Sequence, residues 1–194
     1  ARFIGREVAG VEEVRSAVRD QIAAGAEVIK VIASGGVLTP GTSPDQAQMT
    51  MEELQAAVDE ATRAGRKVAA HAHGASGMKP AIRAGVHSIE HATLLDEEAA
   101  DLFEANGVYM VPTLSALSTT AACRRGCGIP DSARDKAKAM TKRHQVSFKQ
   151  AHRRGLLIAM GTDAGTPFNY HGDNAQELER MVALGMTPMD AMIA

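Results

Sequence analysis

The strongest constraint on the fold is a repeated unit: a short apolar run, a turn, then a segment with helical spacing of apolar residues. The runs are AEVIKVIA (26–33), KVAAHA (67–72), HSIEHA (87–92), VYMVPT (108–113) and LLIAMGTD (156–163). Helices are expected at 11–24, from Thr50 to Gly65, at 76–84 and 97–106, over about 131–154 and from about 174 to 184. Thr50 with Glu53 three residues on reads as a capping box, and Asp96 opens the segment that Gly107 closes. The stretches 34–48 and 114–130 read as loops. Repeated βα units with apolar strands specify a parallel sheet covered by helices.

A doubly wound sheet and a (β/α)8 barrel both satisfy that pattern, and the polar residues separate them. Lys30, His71, His91 and Asp163 fall in or at the C-terminal ends of four different runs. Barrel enzymes collect their reactive groups on that face. No glycine-rich dinucleotide turn follows the first run, which weighs against the doubly wound alternative. Five runs, against the eight strands of a complete barrel, make the expected architecture α/β and a partial (β/α)8 TIM barrel.

Each of the four residues has a plain reading by itself. Lys30 fits a solvated edge, His91 a hydrogen-bonded core histidine, and Asp163 a turn cap. Together they would converge on one axis, where unpaired charge is costly and a metal removes the cost. Two imidazoles and a carboxylate suit zinc with positions open to water. A buried lysine beside cations would lose its proton and react with CO2 to give a carbamate, whose two oxygens bridge two metals.

Composition excludes other classes. The formal net charge is −2, with four Phe, two Tyr and no Trp, so no basic stripe with interleaved aromatics offers a nucleic-acid platform. No apolar run approaches the roughly 20 residues that span a bilayer, and no signal-peptide pattern is present. Cys123 and Cys127, in CRRGCG, have the spacing of a small disulfide loop or half a metal site. Without a second pair, they are expected to be reduced thiols in a cytoplasmic protein.

The chain resembles the amidohydrolase superfamily, and within it the imidazolonepropionase-like and Xaa-Pro dipeptidase group that includes ochratoxin-hydrolysing amidases. The stretches that carry the resemblance are GAEVIKVIASGGV, RKVAAHAHG, AIRAGVHSIEHATLLD, GVYMVPTL, IAMGTDAGTPF and HGDNAQELERMVALGMTPMDAM. The resemblance makes the five runs strands four to eight of a metal-dependent hydrolase barrel. It makes Lys30, His71, His91 and Asp163 ligands to one or two zinc ions, with Lys30 carbamylated. His73 becomes a catalytic substrate contact that polarises the scissile carbonyl, with an exposed loop histidine as the competing reading. Tyr109 and His171 become substrate contacts. Arg124 and Arg125 are candidates to clamp a substrate carboxylate, against a solvent-facing pair. No role is implied for His87, His144 or His152, and the latter two are expected to be solvated on the long helix.

The implied reaction is metal-assisted hydrolysis of a C–N amide bond in dipeptides or N-acyl amino acids, with Asp163 as general base. A cyclic-amide hydrolase and a catalytically incomplete metal-binding fragment are the alternatives. The group's strand-one His-x-His pair, its first three strands and its β-sandwich have no counterpart in residues 1–194. The chain is therefore expected to be an internal fragment, a single partial barrel domain with open edges. By itself it is expected to be unstable or homo-oligomeric, with little activity.

Overall fold

The computed structural model describes residues 5–194. Four strands, β1 (Val28–Ile32), β2 (Lys67–Gly74), β3 (Ser88–Leu94) and β4 (Tyr109–Val111), lie in one parallel sheet in chain order. Helix α1 (Val11–Ala23) precedes β1. Helices α2 (Met51–Arg63), α3 (Ala75–Ala84) and α4 (Glu97–Asn106) connect the strands. After β4 come α5 (Leu114–Ala122), α6 (Asp131–Arg153), α7 (Ala175–Ala183) and α8 (Pro188–Ile193).

Strand alternation divides the sheet into two faces. Ile29, Val31, Val68, Ala70, Ala72, Ile89 and Met110 pack against Val14, Val18, Leu54, Met78, Ile82 and Phe103 of the first four helices. The intervening residues, among them Lys30, His71, Glu90 and Tyr109, occupy the other face. The register places Lys30, Ala69, Ser88 and Tyr109 in one row. Ile32, His71, Glu90 and Val111 form the next row toward the C-terminal ends. The capping box forms as expected: Thr50 Oγ1 accepts the Glu53 N–H at 3.2 Å, and Glu53 accepts the Thr50 N–H at 2.8 Å.

Three expectations change. The run 156–163 is not a full strand; it meets the sheet in one bridge, Ile158 beside Met110. Met110 N–H donates to Leu157 O at 2.8 Å and Ala159 N–H donates to Met110 O at 2.9 Å. The next donor in that ladder would be residue 112, which is proline and has no N–H. The expected loop 114–130 begins instead with α5. The cap of that helix comes from a distant residue: the buried Glu177 carboxylate accepts the N–H groups of Leu114 and Ser115 at 2.6 and 2.8 Å.

The third change concerns the thiols. Cys123 and Cys127 form a disulfide rather than two reduced thiols, with Cα atoms 6.3 Å apart. The turn that brings them together has Cys127 N–H on Arg124 O at 3.2 Å and Gly126 at φ 82°. Reduced thiols therefore lend no support to a cytoplasmic location. Among the described residues no helix is long and apolar enough to cross a membrane.

Candidate metal centre

Strand β2 continues to Gly74, so His71 and His73 project from the same face. His73 is 4% exposed, which removes the exposed-loop reading. His91 arrives differently. Glu90 pairs in register with His71, and plain alternation would send the next residue to the helix side. Instead His91 and Ala92 adopt φ of 76° and 44°, and the β2–β3 register shifts between Ala72 and Gly74. This bulge re-aims the side chain. The His91 ring lies 4.5 Å from the rings of both His71 and His73, centroid to centroid. One nitrogen from each of the three histidines lies within 4.8 Å of the others.

The rings are fixed from behind. His73 Nδ1 is 2.8 Å from Thr93 Oγ1, and His91 Nδ1 is 2.6 Å from Thr113 Oγ1. His71 Nε2 is buried and has no hydrogen-bond partner. Burial, and then the Lys30 charge, push the His71 pKa down to about 4. Burial first, and then the neighbouring histidines, hold His73 and His91 well below the usual imidazole value. These imidazoles are held neutral, with one nitrogen of each close to the others and the buried His71 Nε2 unpartnered. That donor set fits a divalent metal of the zinc type.

Asp163 is not part of that cluster, and Lys30 is engaged by Glu90 instead. Lys30 Nζ pairs with Glu90 Oε2 at 2.6 Å, and the Lys30 side chain is 45% exposed rather than buried. The reason is its place on β1, an edge strand of the sheet. Asp163 stands at φ 54°, just after Gly161, where a Cβ would collide with Val111. Although Asp163 reaches solvent, desolvation raises its carboxyl pKa; Glu90 adds to the rise and Lys30 opposes it. The Lys30 charge is thus felt by His71, His91 and Asp163 together.

The remaining candidates lie elsewhere. Tyr109 is 45% exposed one row below Glu90, and it lines a cavity of 280 Å³ with Lys67, His87 and Gly107 at the N-terminal ends of the strands. His171 is exposed in the loop after Asp163, beside Gly165. Arg124 and Arg125 are solvent-facing on the disulfide loop, and Arg125 is 3.9 Å from Asp131. The 34–48 segment folds back on itself through Gly35 N–H to Gln46 O at 2.9 Å and Gln48 N–H to Ala33 O at 3.0 Å. It rests on Gly74, and Lys136 ties it to α6 by donating to Thr39 O and Thr42 O at 3.1 and 2.7 Å.

Sequence reading missed Glu90, Thr93, Thr113 and His144. Far from being solvated, His144 is 2% exposed, and its Nε2 is 3.0 Å from His91 O. The signal was there: Ala137, Met140, His144, Ser147, Phe148 and Ala151 form one helical stripe, all of it buried. His152 is half-buried, stacked 6.5 Å from Phe148.

The amidohydrolase family matches residues 2–193. The ochratoxinase of Aspergillus niger is 42% identical over 186 residues, covering 95% of this chain and 38% of that protein. A crystal structure of a Xaa-Pro dipeptidase with methionine bound in its active site is 44% identical, with a TM-score of 0.89 over 95% of this chain and 45% of that one. A prolidase complexed with N-methylphosphonate-L-proline is 34% identical, with a TM-score of 0.90 over 97% and 45% of the two chains. The chain spans less than half the length of each of these relatives. With its parallel α/β sheet and its histidine cluster at the strand ends, the chain belongs to the amidohydrolase family.

Proposed function

We propose that this chain is the strand-four-to-eight part of a (β/α)8 barrel and carries the metal site of an amidase acting on dipeptides or N-acyl amino acids. The observation that carries this reading is the cluster of His71, His73 and His91, two of them buried and the third, half-buried, with its Nε2 unpartnered. In this reading Lys30, as its carbamate, with His71, His91 and Asp163 would hold zinc. When bound, the metal supplies Lewis acidity that acidifies water and polarises the amide carbonyl.

The chain's own residues do the rest. Asp163, its pKa raised by burial, takes the proton of the attacking water and returns it to the leaving nitrogen. His73, held by Thr93, orients the scissile carbonyl. Glu90 holds the Lys30 ammonium before carbamate forms. The 34–48 segment covers one side of the site, and Gly36 leaves room beside His71 Nε2. Tyr109 and His171 are assigned to substrate binding by resemblance alone.

The free edge of β1, where Val28 and Ile32 are exposed, borders a cavity of 650 Å³. That exposed apolar edge favours a second state, a self-associating metal-binding piece without turnover. Sedimentation of the isolated chain tests the second state, a monomer overturning it, and one assay tests the first. The zinc-loaded full-length protein is assayed on proline-ended dipeptides, N-acyl amino acids and lactams, with Asp163→Asn as control. Cleavage of acyclic amides that is lost in Asp163→Asn supports the proposal. Lactam-only turnover replaces the substrate class, and activity that survives Asp163→Asn overturns the mechanism.

A further inference from the structure

The bulge that turns His91 inward has a structural cost. At φ 76° and 44°, residues His91 and Ala92 leave the regular ladder, and the backbone groups beyond them need other partners. Those partners come from α6. His144 Nε2 is 3.0 Å from His91 O, and Ser147 Oγ donates to Thr93 O at 2.8 Å. Ser147 Oγ also accepts Leu95 N–H at 3.1 Å. Both side chains are buried and sit three residues apart on one helix face. The segment they hold contains His91 and Thr93, the latter being the hydroxyl partner of His73. Thr113, whose hydroxyl fixes His91 Nδ1, holds the same ring from the neighbouring strand end.

We propose that His144 and Ser147 are positioning residues: they clamp the strained end of β3 from α6 and so set the aim of the His91 and His73 rings. A hydrophobic side chain at residue 144 would fill the space equally well and leave His91 O without its donor, so packing alone does not call for a histidine. The pair touches neither metal nor substrate and acts only through the backbone of β3. The inference rests on the metal-centre reading above.

The test measures zinc affinity of the full-length protein by chelator competition and the visible ligand-field spectrum of its cobalt(II) form. Neither readout requires turnover. His144→Leu is expected to weaken zinc binding by about ten- to a hundredfold, the range for lost outer partners of metal-bound histidines, and to alter the cobalt spectrum. His144→Gln, which keeps an N–H donor at similar reach, restores both toward the parent. Phe148→Leu loosens the same helix away from β3; it should lower the melting temperature and leave affinity and spectrum in place.

Unchanged zinc affinity and spectrum in His144→Leu overturn the proposal, as does an equal loss in Phe148→Leu. Should His144→Leu not fold, Ser147→Ala decides, by weakening zinc binding or by leaving it at the parent value. A full-length parent that binds no zinc overturns the metal-centre reading itself, an outcome distinct from any failure of the variants.

Discussion

The ring of His73 stacks on that of His91, centroids 4.5 Å apart and planes 18° from parallel, although the two residues come from different strands. Such a pair is compatible with neutral rings and is penalised when both are protonated. His71 and His144 complete the buried set, each pushed from its ordinary 6.5 down to about 4, chiefly by desolvation. The linkage has a definite sign. Below pH 6.5 the unfolded chain gains protons that the folded chain refuses until about pH 4. Stability is therefore complete above that window, falls as pH falls through it, and is fully lost in this component below it. Each such histidine contributes a slope of about 1.4 kcal/mol per pH unit inside the window. Urea unfolding of the metal-free chain at pH 7.5, 6 and 5 should show a falling midpoint. A flat profile would mean that these rings titrate normally.

Thr93 and Thr113 hold the back nitrogens of His73 and His91 at 2.8 and 2.6 Å. The shape is kept and the hydroxyl lost in Thr113→Val, which frees the His91 ring to rotate. Zinc affinity should fall by about ten- to a hundredfold, with a small change in melting temperature. Thr93→Val should cost zinc binding less than Thr113→Val if His73 serves substrate rather than metal. Isothermal titration of the two variants side by side measures that order, and a larger loss in Thr93→Val would make His73 a ligand.

Periodicity and spacing are enough to read the βα alternation and the Thr50 cap, and they bring His71 and His91 to neighbouring strand ends. Three features were hidden, each for a physical reason. The His91 bulge breaks the alternation that a reader must assume, so Glu90 and His91 looked like opposite-facing neighbours. Helix α5 depends on a carboxylate more than sixty positions away, which no local pattern encodes. The strand expected at 156–163 ends early because Pro112, in the neighbouring strand, lacks the N–H its ladder needs. His144 differs from these: its place on the apolar stripe of α6 was visible, and only its partner, a carbonyl freed by the bulge, was not.

Glu177 offers a stability test away from the metal centre. It is 0% exposed and accepts two backbone N–H groups at the start of α5, while Arg180 Nε donates to Ser115 Oγ at 3.2 Å close by. Glu177→Ala strands two buried donors, so a loss of about 2–4 kcal/mol is expected. Glu177→Gln keeps one acceptor and should lose about half as much. Chemical denaturation of both variants gives the comparison, and equal losses would show that volume, rather than the hydrogen bonds, is what α5 requires.

Lys30 and Glu90 make the last prediction, because their ion pair must be rebuilt when carbamate forms. In the metal-free chain the ammonium and the carboxylate sit 2.6 Å apart. The Lys30 ammonium must first lose a proton; addition of CO2 to the amine then forms an N–C bond and releases a second proton, so a cation becomes an anion. Glu90 then changes from partner to repelling neighbour, and Asp163 already feels the Glu90 charge. Only bound cations can hold three such groups together. Bicarbonate alone should therefore leave the intact mass of the chain unchanged under native conditions, while bicarbonate with zinc should add one CO2. Replacing the carboxylate, in Glu90→Gln, removes the repulsion and should lower the zinc concentration needed for that mass increase. Lys30→Arg should never show it. A mass increase with bicarbonate and chelator present would show that carbamylation is independent of metal, and that Glu90 does not oppose it.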